Sequence, residues 1–225
     1  MRVTVDEVRA FELFAALSQE EAAALGARLV RQRATRGEFL FRQGEPASHL
    51  VLLISGQVKM EHADPDGTAV IVEVLGAGTA LAAANFLEQG PYPVTAVCLV
   101  DVAYAALLYQ DFEVLVRLHP DMALVLLAYL ARRLHRAYAA RRASPRSSVR
   151  LAHALARIAA DAPLVVSKGP LVHLSHGDLA EVAGLARETV TRHLRVWQRQ
   201  GIVELGTRQI LVRDLKALRR LAEDV

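Results

Sequence analysis

Residues 174–200 read LSHGDLAEVAGLARETVTRHLRVWQRQ, and this stretch decides the fold of the C-terminal part of the chain. Ser175 followed by Asp178 is typical of a capping box, in which each side chain accepts from the other residue's backbone N–H at a helix start. Gly184 suits the sharp turn that ends this short helix. A second helix follows at once, so the stretch predicts a helix-turn-helix.

The second helix, predicted from Ala186 to Gln200, has two different faces. Its apolar face has the spacing of a buried amphipathic stripe and carries Val190, Leu194 and Trp197. Its polar face lies near the helix N-terminus, where a recognition helix contacts base edges in the major groove of double-stranded DNA. The predicted DNA contacts on this face are Arg187, Glu188, Thr191, Arg192 and Arg195.

Glu188 is the informative residue of the polar face. Arginine matches the O6 and N7 acceptors of guanine, whereas a carboxylate can accept from the N4 amine of cytosine. A carboxylate near phosphates is unfavourable unless it accepts from such a donor, so Glu188 indicates base reading. The alternative is an ion pair on the helix surface with Arg192, one turn later, and we favour base reading over it.

The segments 202–205 and 209–212 flank Gly206-Thr207-Arg208 and predict a short hairpin, the wing of a winged helix-turn-helix. Arg208 at the tip is placed to meet a phosphate beside the groove, although the hairpin also suits a packed edge. Arg208 and Ser175 complete the predicted set of DNA contacts. We further expect a loop through 161–163 and 168–170, and a final helix capped by Asp214.

Charge is unevenly divided along the chain. Residues 141–225 hold 15 Lys and Arg against 8 Asp and Glu, whereas residues 1–140 hold 12 against 16. A basic C-terminal part fits a polyanion such as DNA, because neutralised phosphates release condensed counterions. A solvated basic surface fits the same charge count.

The part in front, from Ala34 to about Leu108, has short apolar runs punctuated by glycine, as in all-β domains. The runs at 49–54, 58–62 and 69–75 predict strands, and Asp64-Pro65-Asp66-Gly67 predicts a turn. Short strands bury their edges best in a β-roll (jelly roll). The predicted fold class is therefore α+β.

Beyond Asp111 the apolar spacing becomes helical, and Asp121 after Pro120 marks the start of a long helix to about Arg142. Either the β-roll or a second copy of the chain must cover its apolar stripe, and we favour a homodimer. The predicted dimerisation residues are Met122, Leu126, Leu127, Leu130, Leu134 and Ala137. Residues 141–148 have the composition of a hinge, so the predicted domains are 1–110, 111–143 and 144–225.

Composition excludes several other classes of protein. No apolar run reaches the roughly 18 to 20 residues of a membrane helix, and the first residues lack a secretory pattern, so we expect a cytoplasmic protein without a membrane partner. The one cysteine, Cys98, permits neither an internal disulfide nor a Cys-ligated cluster. In its apolar run a buried hydrophobe is favoured over a redox sensor.

A metal-dependent enzyme is a further alternative. A cupin-like site needs a close pair of histidines with a carboxylate and a later histidine. The available side chains are isolated from one another in sequence: His49, His62, Glu73 and His119. We therefore expect neither an enzyme nor a metal site.

With these elements in this order, the chain resembles the Crp/Fnr family of bacterial transcription regulators over nearly its full length. Residues 184–192 are similar to the family's recognition motif, which implies that Arg187, Glu188 and Arg192 read a palindrome whose half-site resembles TGTGA. Residues 36–45 and 53–59 are similar to its β-roll motifs. By analogy the resemblance implies an activator that contacts RNA polymerase, with 161–171 as a candidate contact surface. Ala186 stands where the family often has a capping serine or threonine.

The resemblance fails at the family's cyclic-nucleotide cassette, a Gly-Glu-Leu followed by an Arg-Ser-Ala. Aligning Gly78 and Gly90 places Ala82-Ala83-Ala84 and Pro93-Val94-Thr95 at these positions. A buried phosphate without a cation costs several kcal/mol, so we expect no cofactor and no binding of cyclic AMP. Two alternatives stay open: an apolar effector in a roll lined by 80–84, Phe86 and Val94, or a roll filled by its own side chains.

Overall fold

Two four-stranded antiparallel sheets form the β-roll at the front of the chain. The computed structural model describes residues 2–64, 66, 68–141, 146–161 and 165–223, with side chains for all of these except 136–141 and 165. The strands are β1 (Arg31–Ala34), β2 (Phe39–Phe41), β3 (His49–Ser55), β4 (Gln57–Ala63), β5 (Ala69–Gly76), β6 (Thr79–Leu81), β7 (Thr95–Cys98) and β8 (Val102–Leu108). Their order is β1-β8-β3-β6 in one sheet and β2-β7-β4-β5 in the other, as predicted for a roll.

Alternating side chains explain why β4 forms one wall of the roll. Val58 and Met60 are buried inside it, while Lys59 and Glu61 on the other face are only partly buried. β4 pairs with β5 along its length and with β7 on its other edge, with Val58 opposite both Leu75 and Cys98. The predicted turn between β4 and β5 lies partly outside the described residues, at Pro65 and Gly67.

Helices cover one side of the roll. They are α1 (Val5–Arg9), a short 3-10 turn (Glu12–Phe14), α2 (Gln19–Arg28), α3 (Ala83–Glu88) and α4 (Tyr109–Leu118). Capping boxes at Thr4 and Ser18 begin α1 and α2, and Phe11, Phe14 and Phe86 are buried beneath them.

The long helix α5 (Asp121–Arg141) begins at the predicted residue. The helical region from 111 is, however, two helices rather than one, because α4 ends before Pro120 and meets α5 at a bend of 119°. Among the described residues no single helix is long and apolar enough to cross a membrane, and only this bent pair reaches that length and composition together. The predicted domain boundary at 144 lies outside the described residues.

The C-terminal domain contains α6 (Ser147–Asp161), β9 (Val165–Val166), β10 (Gly169–Val172), α7 (His176–Ala183), α8 (Arg187–Arg199), β11 (Val203–Gly206), β12 (Gln209–Val212) and α9 (Leu215–Glu223). Its strands form one antiparallel sheet in the order β11-β12-β10-β9. The described part of α6 to α9 packs around Leu151, Leu155, Leu194 and Leu218, which are fully buried. Asp214 accepts from the backbone N–H of Ala217 at 2.8 Å, as predicted for the cap of α9.

The expected loop at 168–170 is wrong, because these residues belong to the β9–β10 hairpin. β10 also pairs with the wing strand β12 through Leu171 and Val172. Gly169 permits this close approach, since a Cβ there would lie 2.1 Å from the carbonyl oxygen of Val212. Pro170 hid the strand from sequence reasoning because proline is rare in paired strands.

Candidate nucleic-acid interface

The first helix of the helix-turn-helix starts with the predicted capping box. Ser175 Oγ accepts from the N–H of Asp178 at 3.1 Å, and Asp178 Oδ2 accepts from the N–H of Ser175 at 2.8 Å. Burial raises the pKa of Asp178, but hydrogen bonds from Ser175 and the charges of Lys59 and Arg208 outweigh it and hold this pKa below its ordinary value. The Ser175 hydroxyl also donates to Asp178 Oδ2 at 2.6 Å, so the cap already engages this predicted DNA contact.

Gly184 ends α7 in the left-handed conformation, with φ of 61°. Ala186 then begins α8 without a side-chain hydrogen bond, as expected from its lack of a hydroxyl. Val190, Leu194 and Trp197 are buried, which fixes the rotation of α8 about its axis.

The opposite side of α8 is a single polar surface, which we call the recognition face. It includes all five residues predicted on α8 and one that sequence reasoning missed, Arg199, which lies one turn beyond Arg195 at helical spacing. The charged members are exposed, and Thr191 is partly buried. The recognition face consists of Arg187, Glu188, Thr191, Arg192, Arg195 and Arg199.

Glu188 has no ion-pair partner within the described part of the chain, although Arg192 stands one helical turn away. Its carboxylate is therefore exposed and available at the N-terminal end of the recognition face.

Thr191 has a partner that the sequence did not reveal. The Nδ1 atom of His176, the first residue of α7, lies 3.0 Å from the Thr191 hydroxyl oxygen. Burial, and then the charges of Arg187 and Arg195, lower the pKa of His176. The neutral imidazole is thus favoured beside these two arginines near neutral pH.

The wing forms as predicted, with Gly206 opposite Gln209 at the end of the β11–β12 pair. Arg208 occupies the left-handed region, with φ of 54°, and one of its guanidinium nitrogens lies 3.5 Å from Asp178 Oδ2. Its side chain stays half-exposed, so the wing tip is joined to α7 while part of its cation faces solvent.

Gln57 docks the C-terminal domain against the β-roll. This residue is only 1% exposed, and its amide donates to the carbonyl oxygen of Leu171 at 3.2 Å and accepts from the N–H of His173 at 2.9 Å. Lys59 approaches Asp178 at 3.8 Å beside it. Ile71, Val74 and Leu99 of the roll join the same apolar cluster as the core of the C-terminal domain. The orientation of α7 and α8 therefore rests on the β4–β5 wall.

The described residues of α5 have two apolar faces rather than one. Met122 and Tyr129 are buried against their own subunit, so Met122 is unavailable to a second copy; Leu126 and Leu130 are partly buried. An exposed row, which we call the α5 stripe, consists of Leu124 (69% exposed), Leu127 (64%), Ala131 and Leu134 (55%). Leu127 and Leu134 were predicted, whereas Leu124 and Ala131 were missed. The side chain of Ala137 lies outside those described.

The two cassette segments supply no charged side chain. Ala82 keeps the left-handed conformation of a turn, with φ of 51°, and Ala83 is buried. Inside the roll, Phe41 stacks on Tyr92 with ring centroids 3.9 Å apart, and the Tyr92 hydroxyl donates to the carbonyl oxygen of His49 at 2.8 Å. These residues do not fit the phosphate of a cyclic nucleotide.

The other candidate chemistries find little support in the geometry. Cys98 is 2% exposed, and burial raises its pKa to about 11. Within the part of the chain that the structure describes, no three His, Cys, Asp or Glu side chains are grouped to hold a metal ion.

Comparison with known proteins identifies both domains. Residues 31–119 match the family model of the cyclic nucleotide-binding domain, and residues 149–221 match that of the Crp-like helix-turn-helix domain. A cyclic AMP receptor protein from Thermus thermophilus is 31% identical over 212 residues, which are 93% of this chain and 96% of that protein.

Two crystal structures have the same fold. The catabolite activator protein of Thermus thermophilus is 30% identical and superposes with a TM-score of 0.52, over 94% of this chain and 98% of that one. FixK2 from Bradyrhizobium japonicum is 24% identical, with a TM-score of 0.71 over 86% of this chain and 96% of that one, and it supports the fold alone. The names of these relatives are those of regulatory proteins, not of enzymes.

Proposed function

The chain belongs to the Crp/Fnr family of transcription regulators, with a helix-turn-helix DNA-binding domain, and from that premise we propose that it binds a palindromic site as a homodimer without cyclic AMP. The domains are proposed as 1–110, 111–143 and 144–225, as in the sequence analysis, although α4 at 109–118 packs with the roll.

The observation that carries this proposal is the recognition face. It combines four exposed arginines with one exposed carboxylate that has no partner among the described residues. Arginines alone would serve general attraction to phosphates, whereas the carboxylate repels them and gains only from a base amine. Ser175 and Arg208 stand at the edges of this surface, where we propose that they contact the DNA backbone.

The α5 stripe supports the homodimer. Its members are spaced by three, four and three residues, which is the heptad spacing of a helix that packs against a second helix. A two-fold axis along α5 would set two recognition helices about 34 Å apart, one turn of DNA, and the site would then be a palindrome. Leu126 and Leu130 flank the stripe; Met122 is not part of the proposed interface.

Ligand-free binding is supported by the cassette segments and by the filled roll. A cyclic phosphate would meet alanine, proline and valine where the family supplies cation and hydroxyl groups. The Phe41–Tyr92 stack occupies the interior, which favours the filled roll over the alternative, a regulator that senses another small molecule there. We propose an activator that contacts RNA polymerase, by analogy with the relative named catabolite activator protein.

The test is a selection from random double-stranded DNA with the purified full chain, at near-physiological salt and without effector. Fluorescence anisotropy with the selected site, with and without cyclic AMP, follows. We expect a two-fold palindrome and an unchanged affinity on adding cyclic AMP.

A matched pair of variants separates base reading from general charge. Arg192→Ala should lower affinity for the selected site roughly tenfold or more, whereas Arg219→Ala, an exposed arginine of α9, removes the same charge away from the recognition face. Selection of no site would refute the proposed function, and binding only with cyclic AMP would refute its ligand-free part.

A further inference from the structure

His176 and Thr191 bring two side chains with ambiguous hydrogen-bonding roles together on the recognition surface. His176 begins α7, and the first helix of a helix-turn-helix crosses the DNA backbone. Thr191 stands on α8, one turn after Arg187 and one turn before Arg195. The Nδ1 and Oγ1 atoms are 3.0 Å apart, and both residues are half-buried, so each keeps an edge towards solvent.

The contact can form with either polarity. A hydroxyl has one hydrogen, and a neutral imidazole has one donor nitrogen and one acceptor nitrogen. If Nδ1 carries the proton, it donates to Thr191, and the hydroxyl hydrogen stays free to donate outward. If Nε2 carries the proton, Nδ1 accepts the hydroxyl hydrogen, and Thr191 presents only acceptor lone pairs.

We propose that His176 is a specificity-determining residue: through its contact with Thr191 it sets whether that hydroxyl donates to, or accepts from, a base edge. This inference rests on the proposed function. A backbone phosphate near Nε2 would select the Nε2–H tautomer, because an anion accepts only from a donor. Thr191 would then accept from adenine N6 or cytosine N4 rather than donate to guanine or thymine.

Acidification reverses this polarity. The protonated ring donates from both nitrogens, so the Thr191 hydrogen is released outward towards the acceptors of guanine or thymine. The charged groups around the ring are Arg187 and Arg195 on α8, and Asp178 on α7, which is itself approached by Lys59 of β4 and Arg208 of the wing. The two arginines keep the ring neutral in the free protein, and DNA phosphates offset them in the complex.

The experiment uses the full chain and the palindrome that wild-type protein selects. Both half-sites are changed together through all four base pairs at each position, and affinities are measured for wild type, Thr191→Val, His176→Phe and the double variant. Valine removes the hydroxyl at nearly constant shape, and phenylalanine keeps a ring without nitrogens. His153→Phe, at an exposed position on α6, is the matched control.

At pH 8 wild type should prefer an amine-bearing base at one position by roughly tenfold. Thr191→Val should abolish that preference, His176→Phe should relax it, and the double variant should match Thr191→Val. Between pH 8 and 6 the wild-type preference should move towards guanine or thymine, while His176→Phe stays flat and His153→Phe follows wild type.

Unchanged base preference in either Thr191→Val or His176→Phe overturns the inference. If His176→Phe fails to fold, as judged by its thermal transition, His176→Asn replaces it, and the Thr191→Val panel and the wild-type pH series still decide. Failure of the proposed function is distinguishable, since wild-type protein would then select no palindrome under any of these conditions.

Discussion

Glu188 is one carboxylate beside four arginines, and its worth depends on what it meets in the DNA groove. Replacing it with alanine should remove discrimination at one base pair of each half-site, at a cost of about 1 to 3 kcal/mol for the preferred base. Affinity for unrelated DNA should rise slightly, because a negative charge near phosphates has been removed.

The measurement is a repeated DNA selection with Glu188→Ala, followed by anisotropy at two salt concentrations. Glu181→Ala, an exposed glutamate at the end of α7, is the control for the lost charge. An unchanged half-site preference in Glu188→Ala would show that the carboxylate is a surface charge without a reading role.

Cys98 leads to a prediction about reactivity. Because burial raises its pKa to about 11, the thiolate fraction at pH 8 is smaller than that of a free thiol by about two orders of magnitude. A disulfide reagent such as Ellman's should therefore react slowly with the native protein at pH 8 and at once after unfolding in guanidinium. A rapid reaction of the folded protein would revive the redox-sensor alternative.

At the scale of elements, α5 shows how one helix serves two partners. Its inner face holds Met122 and Tyr129 in the subunit core, and the α5 stripe faces away from that core. Each exposed leucine that a second helix covers contributes about 1.5 to 3 kcal/mol. The stripe therefore offers enough apolar surface to hold a dimer only if most of its members are paired.

Leu127→Glu should dissociate the dimer, because a carboxylate would be buried near its own symmetry mate without a cation. We expect the dimer dissociation constant to rise at least about a hundredfold, as measured by analytical ultracentrifugation, and binding to the full palindrome to weaken with it. Leu118→Glu is the matched control, since Leu118 is equally apolar and 69% exposed but belongs to α4. A Leu127→Glu protein that stays dimeric would place the interface elsewhere.

Sequence reasoning succeeded where a pattern is local. The capping box at Ser175, the Gly184 turn and the two faces of α8 depend on residues within four positions of one another. It failed where a feature depends on tertiary contact. The β9–β10 hairpin is stabilised by β12, and the two apolar faces of α5 overlap at three-to-four spacing, so Met122 could not be told from Leu124 without the roll in place.

At the scale of the whole molecule, the docking of the two domains was invisible in the sequence. Gln57 bonds to residues 114 and 116 positions away, and a glutamine at the start of a strand usually indicates a surface position. The same distance in sequence separates every contact that orients the recognition face relative to the roll. The candidate DNA contacts were therefore predictable individually, and their orientation was not.

Gln57→Ala should leave two backbone groups of β10 unpaired and cost about 1 to 3 kcal/mol of interdomain stability. We expect weaker effector-free DNA binding with the same base preference, together with a broader distribution of distances between spin labels on the two domains. Gln43→Ala is a close control, because the Gln43 amide makes the same kind of paired contact with the backbone of Ala63, but inside the roll. Equal DNA affinities for the two variants would show that the dock does not position the recognition face.

The α5 stripe has a consequence for how such a regulator is controlled in a cell. When no ligand sets the orientation of the reading heads, the remaining variable is the number of molecules present. Below the dimer dissociation constant, promoter occupancy rises with the square of monomer concentration rather than in proportion to it. A doubling of synthesis would then raise occupancy about fourfold, and dilution by cell division would lower it as steeply. A leucine row on one helix would thus make gene expression respond sharply to production and turnover.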